Sequence, residues 1–137
     1  MLAPAHALAA YMATLDGRHL DGLFADDVTI VENFAPYLFR DAARWRDGFR
    51  AHAQGLSDLK SSFGTPQDFG RDGEIVHFVL PTRWKGLTNG RAFEEDGGWA
   101  FVLVRRNDLW TIAGYAWAVT DFRFTKDARW MTRPPKR

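Results

Sequence analysis

Cysteine is missing from the chain altogether. That excludes disulfides, thiolate metal sites, cysteine nucleophiles and thiol redox chemistry, and it removes the usual clue to compartment. A charge excess is missing too: 18 Lys and Arg stand against 17 Asp and Glu, for a formal net charge of +1. Nothing electrostatic therefore argues for a nucleic-acid or membrane-surface partner. No apolar run approaches the roughly 20 residues that span a bilayer, and no phosphate-binding glycine loop, nucleophile elbow or acidic metal cluster appears. The opening MLAPAHALAAYMATL lacks the basic start of a secretory leader and reads better as a first helix, so a soluble, cytoplasmic protein is the expectation. His6, His19 and His52 are scattered without ligand spacing, and neither a metal nor a cofactor is expected.

What the chain does have is aromatic residues, 15% of 137, within an apolar share of 46%. That is enough for one compact core and too little for two ordinary domains. Residues 1–124 read as that domain. Residues 125–137 read as a basic tail, with Lys126, Arg129, Arg133, Lys136 and Arg137 against Asp127, and with Pro134-Pro135 opposing regular structure.

Pro4 suits the first turn of a helix carrying Leu8, Tyr11, Met12 and Leu15 at helical spacing. A short helix Leu20 to Phe24 and a strand Val28 to Asn33 follow. Asp41 is the expected N-cap of a third helix with Trp45, Phe49 and His52, ended near Gly55. The period then changes from helical to alternating. Leu59 to Phe69 reads as a strand bent at Gly64 and Pro66, and Glu74 to Lys85 as the next. Thr88-Asn89-Gly90 is a hairpin signal, because Asn-Gly takes positive φ readily. Arg91 to Arg105 returns, with a bulge or bend at Asp96-Gly97-Gly98, and Asn107-Asp108 turns into Leu109 to Phe122. Helices first and an antiparallel meander afterwards make an α+β fold in the order α-α-β-α-β-β-β-β.

Leu15-Asp16-Gly17, Leu23-Phe24-Ala25-Asp26-Asp27-Val28, Ala42-Ala43-Arg44-Trp45, Phe101 to Arg106 and Leu109-Trp110-Thr111-Ile112-Ala113 occur in an order and spacing that resembles the nuclear transport factor 2-like superfamily, in its SnoaL-like branch. The likeness covers about residues 5 to 120. It implies a cone-shaped fold, with N-terminal helices packed in a strongly curved, mostly antiparallel sheet, a deep interior pocket and a homodimer through the outer sheet face. Members include ketosteroid isomerase, polyketide cyclases, dehydratases and epoxide hydrolases, so fold alone does not fix function.

Ketosteroid isomerase carries Val-Glu-Asp-Pro at the end of its first strand, and the aspartate moves the proton. Here the matching segment is Val31-Glu32-Asn33-Phe34, and the carboxamide of Asn33 cannot take that role. The isomerase's oxyanion hole pairs a first-helix tyrosine with a protonated aspartic acid. Tyr11 resembles the former, while the late strand reads Trp99-Ala100-Phe101-Val102 where the acid is expected. Alternation puts Val28, Ile30 and Glu32 on one face and Thr29, Val31 and Asn33 on the other. The expected place of Glu32 is the exposed or dimer face; the alternative is a general base in the pocket. Along the following strand Val76, Phe78, Leu80, Thr82 and Trp84 should face inward. His77 then lies outside, a weaker candidate base.

The expected pocket wall is Trp45, Phe49, Phe78, Trp84, Trp99, Phe101, Tyr115 and Trp117, with Val31 and Leu80. Tyr11, Asn33 and Thr82 are the candidate polar anchors. Such a lining favours a small, largely hydrophobic or aromatic molecule. The expectation is that it is held without turnover, since the isomerase base and oxyanion acid are both missing. In the alternative it is converted by an isomerase, lyase or cyclase with Glu32 or His77 as base and Tyr11 as hydrogen-bond donor.

Overall fold

Helix α1, Ala3–Thr14, starts with Pro4 in its first turn, where a missing N–H costs nothing. The structure, a computed structural model, describes residues 1–125, so the basic tail read above lies outside the described residues save for Thr125. The helix stops at Leu15, whose φ of 58° lets its N–H reach the Tyr11 carbonyl at 2.6 Å. The Asp16 carboxylate then accepts from the Arg18 N–H at 3.0 Å and starts a 3-10 turn, Gly17–Leu20.

Strand β1 follows as Phe24–Val31. This corrects the expected helix over Leu20 to Phe24: the Leu23 carbonyl accepts from the Ile112 N–H at 2.8 Å, which draws the segment into the sheet. The strand also ends two residues earlier than expected, so Asn33 lies in the bend beyond it. After the short strand β2, Leu38–Phe39, helix α2 spans Ala42–His52. Its N-cap is Asp41, whose side chain accepts from the Ala43 and Arg44 N–H groups at 2.7 and 3.2 Å. Trp45 and Phe49, one turn apart, form its buried stripe.

The strand expected over Leu59 to Phe69 is two strands, β3 at Leu56–Phe63 and β4 at Gln67–Asp72. Both pair with the long strand β5, Ile75–Thr88: β4 with its first half, β3 with its second. The break falls where the Gly64 N–H donates to the Pro81 carbonyl at 2.8 Å. Hairpins at Asn89-Gly90 and Asn107-Asp108, all at positive φ, lead into β6, Arg91–Arg106, and β7, Leu109–Phe124.

The seven-stranded sheet runs β2-β1-β7-β6-β5-β3, with β4 also on β5. Only β1 and β7 pair in parallel. The result is an α+β fold in which a strongly curved sheet holds the helices on its concave face. One source of curvature is explicit. Asp96 opposes Asp121 and Gly97 opposes Val119, which leaves Thr120 as an extra residue on β7. The Thr120 hydroxyl donates to the Asp96 carbonyl at 3.1 Å. Inward residues of β5, β6 and β7, among them Val76, Phe78, Leu80, Trp99, Phe101 and Tyr115, pack against Leu8 and Tyr11 of α1 and Trp45 and Phe49 of α2.

Gly97 is the tightest point of this bend. A Cβ there would lie 2.5 Å from both the Ala118 carbonyl oxygen and the Trp117 ring. Gly97→Ala is expected to destabilise the fold by about 2 kcal/mol. Gly17→Ala, with nothing within 4 Å of the added carbon, should stay within about 0.5 kcal/mol of the parent. Urea unfolding of the two variants checks this, and equal midpoints would refute the packing account.

Candidate active site: a buried carboxyl in an aromatic cavity

Along β1 the inward residues are Val28, Ile30 and Glu32, at 1%, 0% and 5% exposure, whereas Val31 is 42% exposed. Glu32 thus faces the concave side, and its expected place on the outer face is corrected. Both faces of the strand are apolar enough for either orientation. What selects this one is the demand of two buried donors. The Trp45 indole Nε1 donates to Glu32 Oε2 at 2.9 Å, and the Tyr115 hydroxyl donates to the same oxygen at 2.5 Å. Ile30 lies beside Tyr115 in the parallel pairing, which sets the β7 phenol next to the β1 carboxyl. After Glu32 the chain turns back, its N–H donating to the Tyr37 carbonyl at 2.8 Å.

Both donors take Oε2, leaving Oε1 without a protein hydrogen bond among the described residues. Burial raises the Glu32 pKa to about 7. The Tyr115 and Trp45 donors act against that shift, and the nearby Glu95 adds to it. Burial and the adjacent Glu32 push the Tyr115 phenol well above its ordinary value.

Glu32 borders a cavity of about 210 Å³, larger than the roughly 150 Å³ that holds benzene in an engineered apolar cavity. It opens between the end of α2, the start of β3 and the far ends of β5, β6 and β7. The Asn89 N–H donates to the Gly55 carbonyl at 2.7 Å, tying the β5–β6 hairpin to the turn after α2 and bounding that end.

Four of the expected wall residues, Phe49, Trp84, Trp99 and Trp117, and one expected polar anchor, Asn33, border the cavity. Trp45 and Tyr115 stand behind the wall as the groups that hold Glu32. Phe78, Leu80 and Phe101 are core residues and do not border the space. Three further candidate site residues are placed away from the cavity. Val31 points outward by the strand's alternation. His77 is exposed on the outer face, as the strand's alternation predicts, packed over Gly70 of β4; its candidacy as the base of this cavity is corrected. The Thr82 hydroxyl is occupied by the Leu80 carbonyl at 2.9 Å. Tyr11 does not border the cavity either; its hydroxyl is buried without a partner, and the charged groups nearest it are Arg50, Arg46 and Asp47 of α2.

Glu95 and Phe93 were not anticipated at the site, though a signal existed. Alternation carried back from Trp99 through Gly97 places Glu95 and Phe93 on the same inward face. The glycine pair masks it by suggesting that the strand is interrupted. Burial also raises the Glu95 pKa, against the effect of the neighbouring Trp117 indole. His52 borders the cavity, its ring stacked on Phe34 at 4.5 Å. Trp99 contributes a buried indole N–H that has no acceptor among the described residues. Among the described residues no three His, Asp or Glu side chains gather into a metal site, and no helix is long and apolar enough to cross a membrane.

Neither a protein-family model nor a curated protein matches the sequence. Solved structures do. A putative aromatic ring hydroxylase from Novosphingobium aromaticivorans superposes with a TM-score of 0.76 at 17% identity, over 89% of this chain and 88% of that one. The hexachlorocyclohexane dehydrochlorinase LinA-type3 from Novosphingobium barchaimii does so with 0.73 at 8% identity, over 89% and 85%. A ketosteroid isomerase-like protein from Erwinia carotovora gives 0.70 at 12% identity, over 87% and 92%. At these identities the likeness is one of fold: the chain shares the curved-sheet α+β architecture of these proteins, consistent with the nuclear transport factor 2-like resemblance of its sequence.

Proposed function

We propose that the chain takes a small, largely apolar molecule into this cavity and that Glu32 removes a proton from it, in an isomerase, lyase or cyclase type of reaction. The observation that carries this reading is the state of Glu32: buried, with a pKa near 7, one oxygen clamped and the other unclaimed. A general base is most effective when its pKa lies near the working pH, and an unperturbed glutamate at 4.5 is a far weaker one. The unpaired Trp99 indole N–H is a donor for negative charge that develops on the substrate. It stands on the late strand where the isomerase pattern has an acid. Elimination, the reaction in the dehydrochlorinase neighbour's name, also removes hydrogen from a small apolar molecule.

A second reading, binding without turnover, is favoured by Asn33, an amide where the isomerase pattern has its base. Either reading is compatible with a homodimer, for which the exposed Val31 and Val102 of the outer sheet face are the motivation.

The probe 2-tetralone, flat, apolar and acidic at carbon, separates the readings. Its C1 hydrogens should exchange with D2O, followed by NMR, faster with the protein than in buffer. Glu32→Gln should reduce the excess rate about 100-fold or more. Saturable binding with exchange at the buffer rate selects the binding-only reading, and neither binding nor exchange contradicts both.

Protonation of Glu32 is also visible in stability. Its folded pKa, about 7, lies above the ordinary 4.5, so the folded state holds the proton more tightly than the unfolded chain. That stabilisation is complete below about pH 4.5 and is lost as pH rises through 7, by about 3 kcal/mol in all. Asp16 and Asp96, held down to about 2 by Arg18 and Arg83, act only below pH 4, outside this window. Glu32→Gln should therefore flatten the decline in urea-unfolding free energy between pH 4.5 and 8, and parallel curves for parent and variant would contradict the assignment.

A further inference from the structure

Three successive acids of β6 meet opposite fates. Glu94 and Asp96 point to the outer face, where Arg83, Lys85 and Arg123 surround them. Arg83 Nε lies 2.7 Å from Asp96, Lys85 Nζ 3.6 Å from Glu94, and Arg123 bonds to both acids. Glu95, between them, points inward to the cavity and has no cationic partner among the described residues. Glu32 has none either, and its Oε1 is unclaimed. Among the described residues no Lys or Arg borders the cavity. The remaining wall is chiefly the faces and edges of Phe34, Phe49, Trp84, Phe93, Trp99 and Trp117.

We infer that the cavity selects an organic cation: an amine or quaternary ammonium group attached to an apolar body, with Glu32 and Glu95 as the counter-charges and the rings as its cage. Aromatic faces carry negative potential and attract a desolvated cation. A carboxylate at low dielectric attracts it more strongly than the same group in water. The same two acids disfavour an anion, since among the described residues no Lys or Arg borders the cavity to compensate it and His52, whose pKa burial lowers, is its one imidazole. A cation entering here also supplies what the burial of Glu32 and Glu95 withholds, a partner for each carboxylate. The selection rests on the small-molecule reading of the cavity and adds the charge class of the ligand to it.

Three probes of nearly equal bulk test this, by calorimetric or tryptophan-fluorescence titration at pH 8: phenyltrimethylammonium, its uncharged isostere tert-butylbenzene, and the anion 4-tert-butylbenzoate. The cation should bind at least 10-fold more tightly than the neutral compound, and the anion most weakly. Glu95→Gln and Glu32→Gln, both close in shape to the parent, should each lower the cation's affinity several-fold and leave that of tert-butylbenzene within a factor of two. If tert-butylbenzene binds as well as the cation, or either variant lowers both equally, the charge selection is overturned while the pocket itself stands. If none of the three binds, both fall.

Discussion

One carboxyl oxygen joins three elements of this protein. Glu32 directly follows β1, Trp45 lies on α2 and Tyr115 on β7, and they meet at a single buried atom. An indole N–H or a phenol buried without an acceptor costs free energy, so the tryptophan and the tyrosine need that oxygen as much as it needs them. The clamp explains why α2 lies where it does. Its Trp45 reaches across the core to the strand, with the ring set edge-on to Tyr115 at 6.2 Å and stacked on Phe49 at 5.6 Å. Burial that makes the carboxyl reluctant to ionise is thus imposed by the same contacts that close the cone, and a proton acceptor tuned near neutrality is a by-product of packing.

The sheet separates charge as well as polarity. On its outer face the side chains of Arg83, Lys85 and Arg123 from β5 and β7 interleave with Glu94 and Asp96 of β6. Pairs this exposed contribute little to stability one by one. Their consequence is positional: these cations are engaged on the convex side, so among the described residues Glu32 and Glu95 on the concave side have no Lys or Arg partner. Because alternation is strict through Phe93, Glu95, Gly97 and Trp99, one residue's step along β6 decides whether an acid is paired with cations outside or faces the cavity.

Much of the architecture was legible in the residues. Asp41 as N-cap, the Asn89-Gly90 hairpin, the bend near Gly97 and the helical spacing of Trp45 and Phe49 each rest on local chemistry that tertiary context leaves alone. The misreadings share a cause, which is that partners distant in sequence decided the outcome. Leu20 to Phe24 has helical composition but is taken by a parallel neighbour 88 residues on, Phe24 beside Ile112. Leu59 to Phe69 reads as one strand because nothing local reports that β5 is long enough to serve two partners. Glu32 was ambiguous because both faces of its strand are apolar. The decisive groups, an indole and a phenol in need of an acceptor, lie 13 and 83 residues away.

The displacement of the acid by one residue from the isomerase pattern has a structural resolution. In a continuing strand, Glu32 and Asn33 would face opposite sides, and only one of them would reach the cavity. The strand stops at Val31, however, and the chain bends through Asn33 and Phe34. Alternation therefore ceases to bind Asn33, and both residues border the space. The carboxyl enters through the wall, immobilised by two donors; the amide sits at the exposed edge. In the proposed reaction a carboxylate held in this way cannot swing toward a substrate, so the proton to be removed must be brought to Oε1 by the aromatic surfaces around it. Positioning then falls to ring packing and to the unpaired Trp99 N–H, which makes the shape and charge of the cavity, rather than the mobility of the acid, the determinant of what can react there.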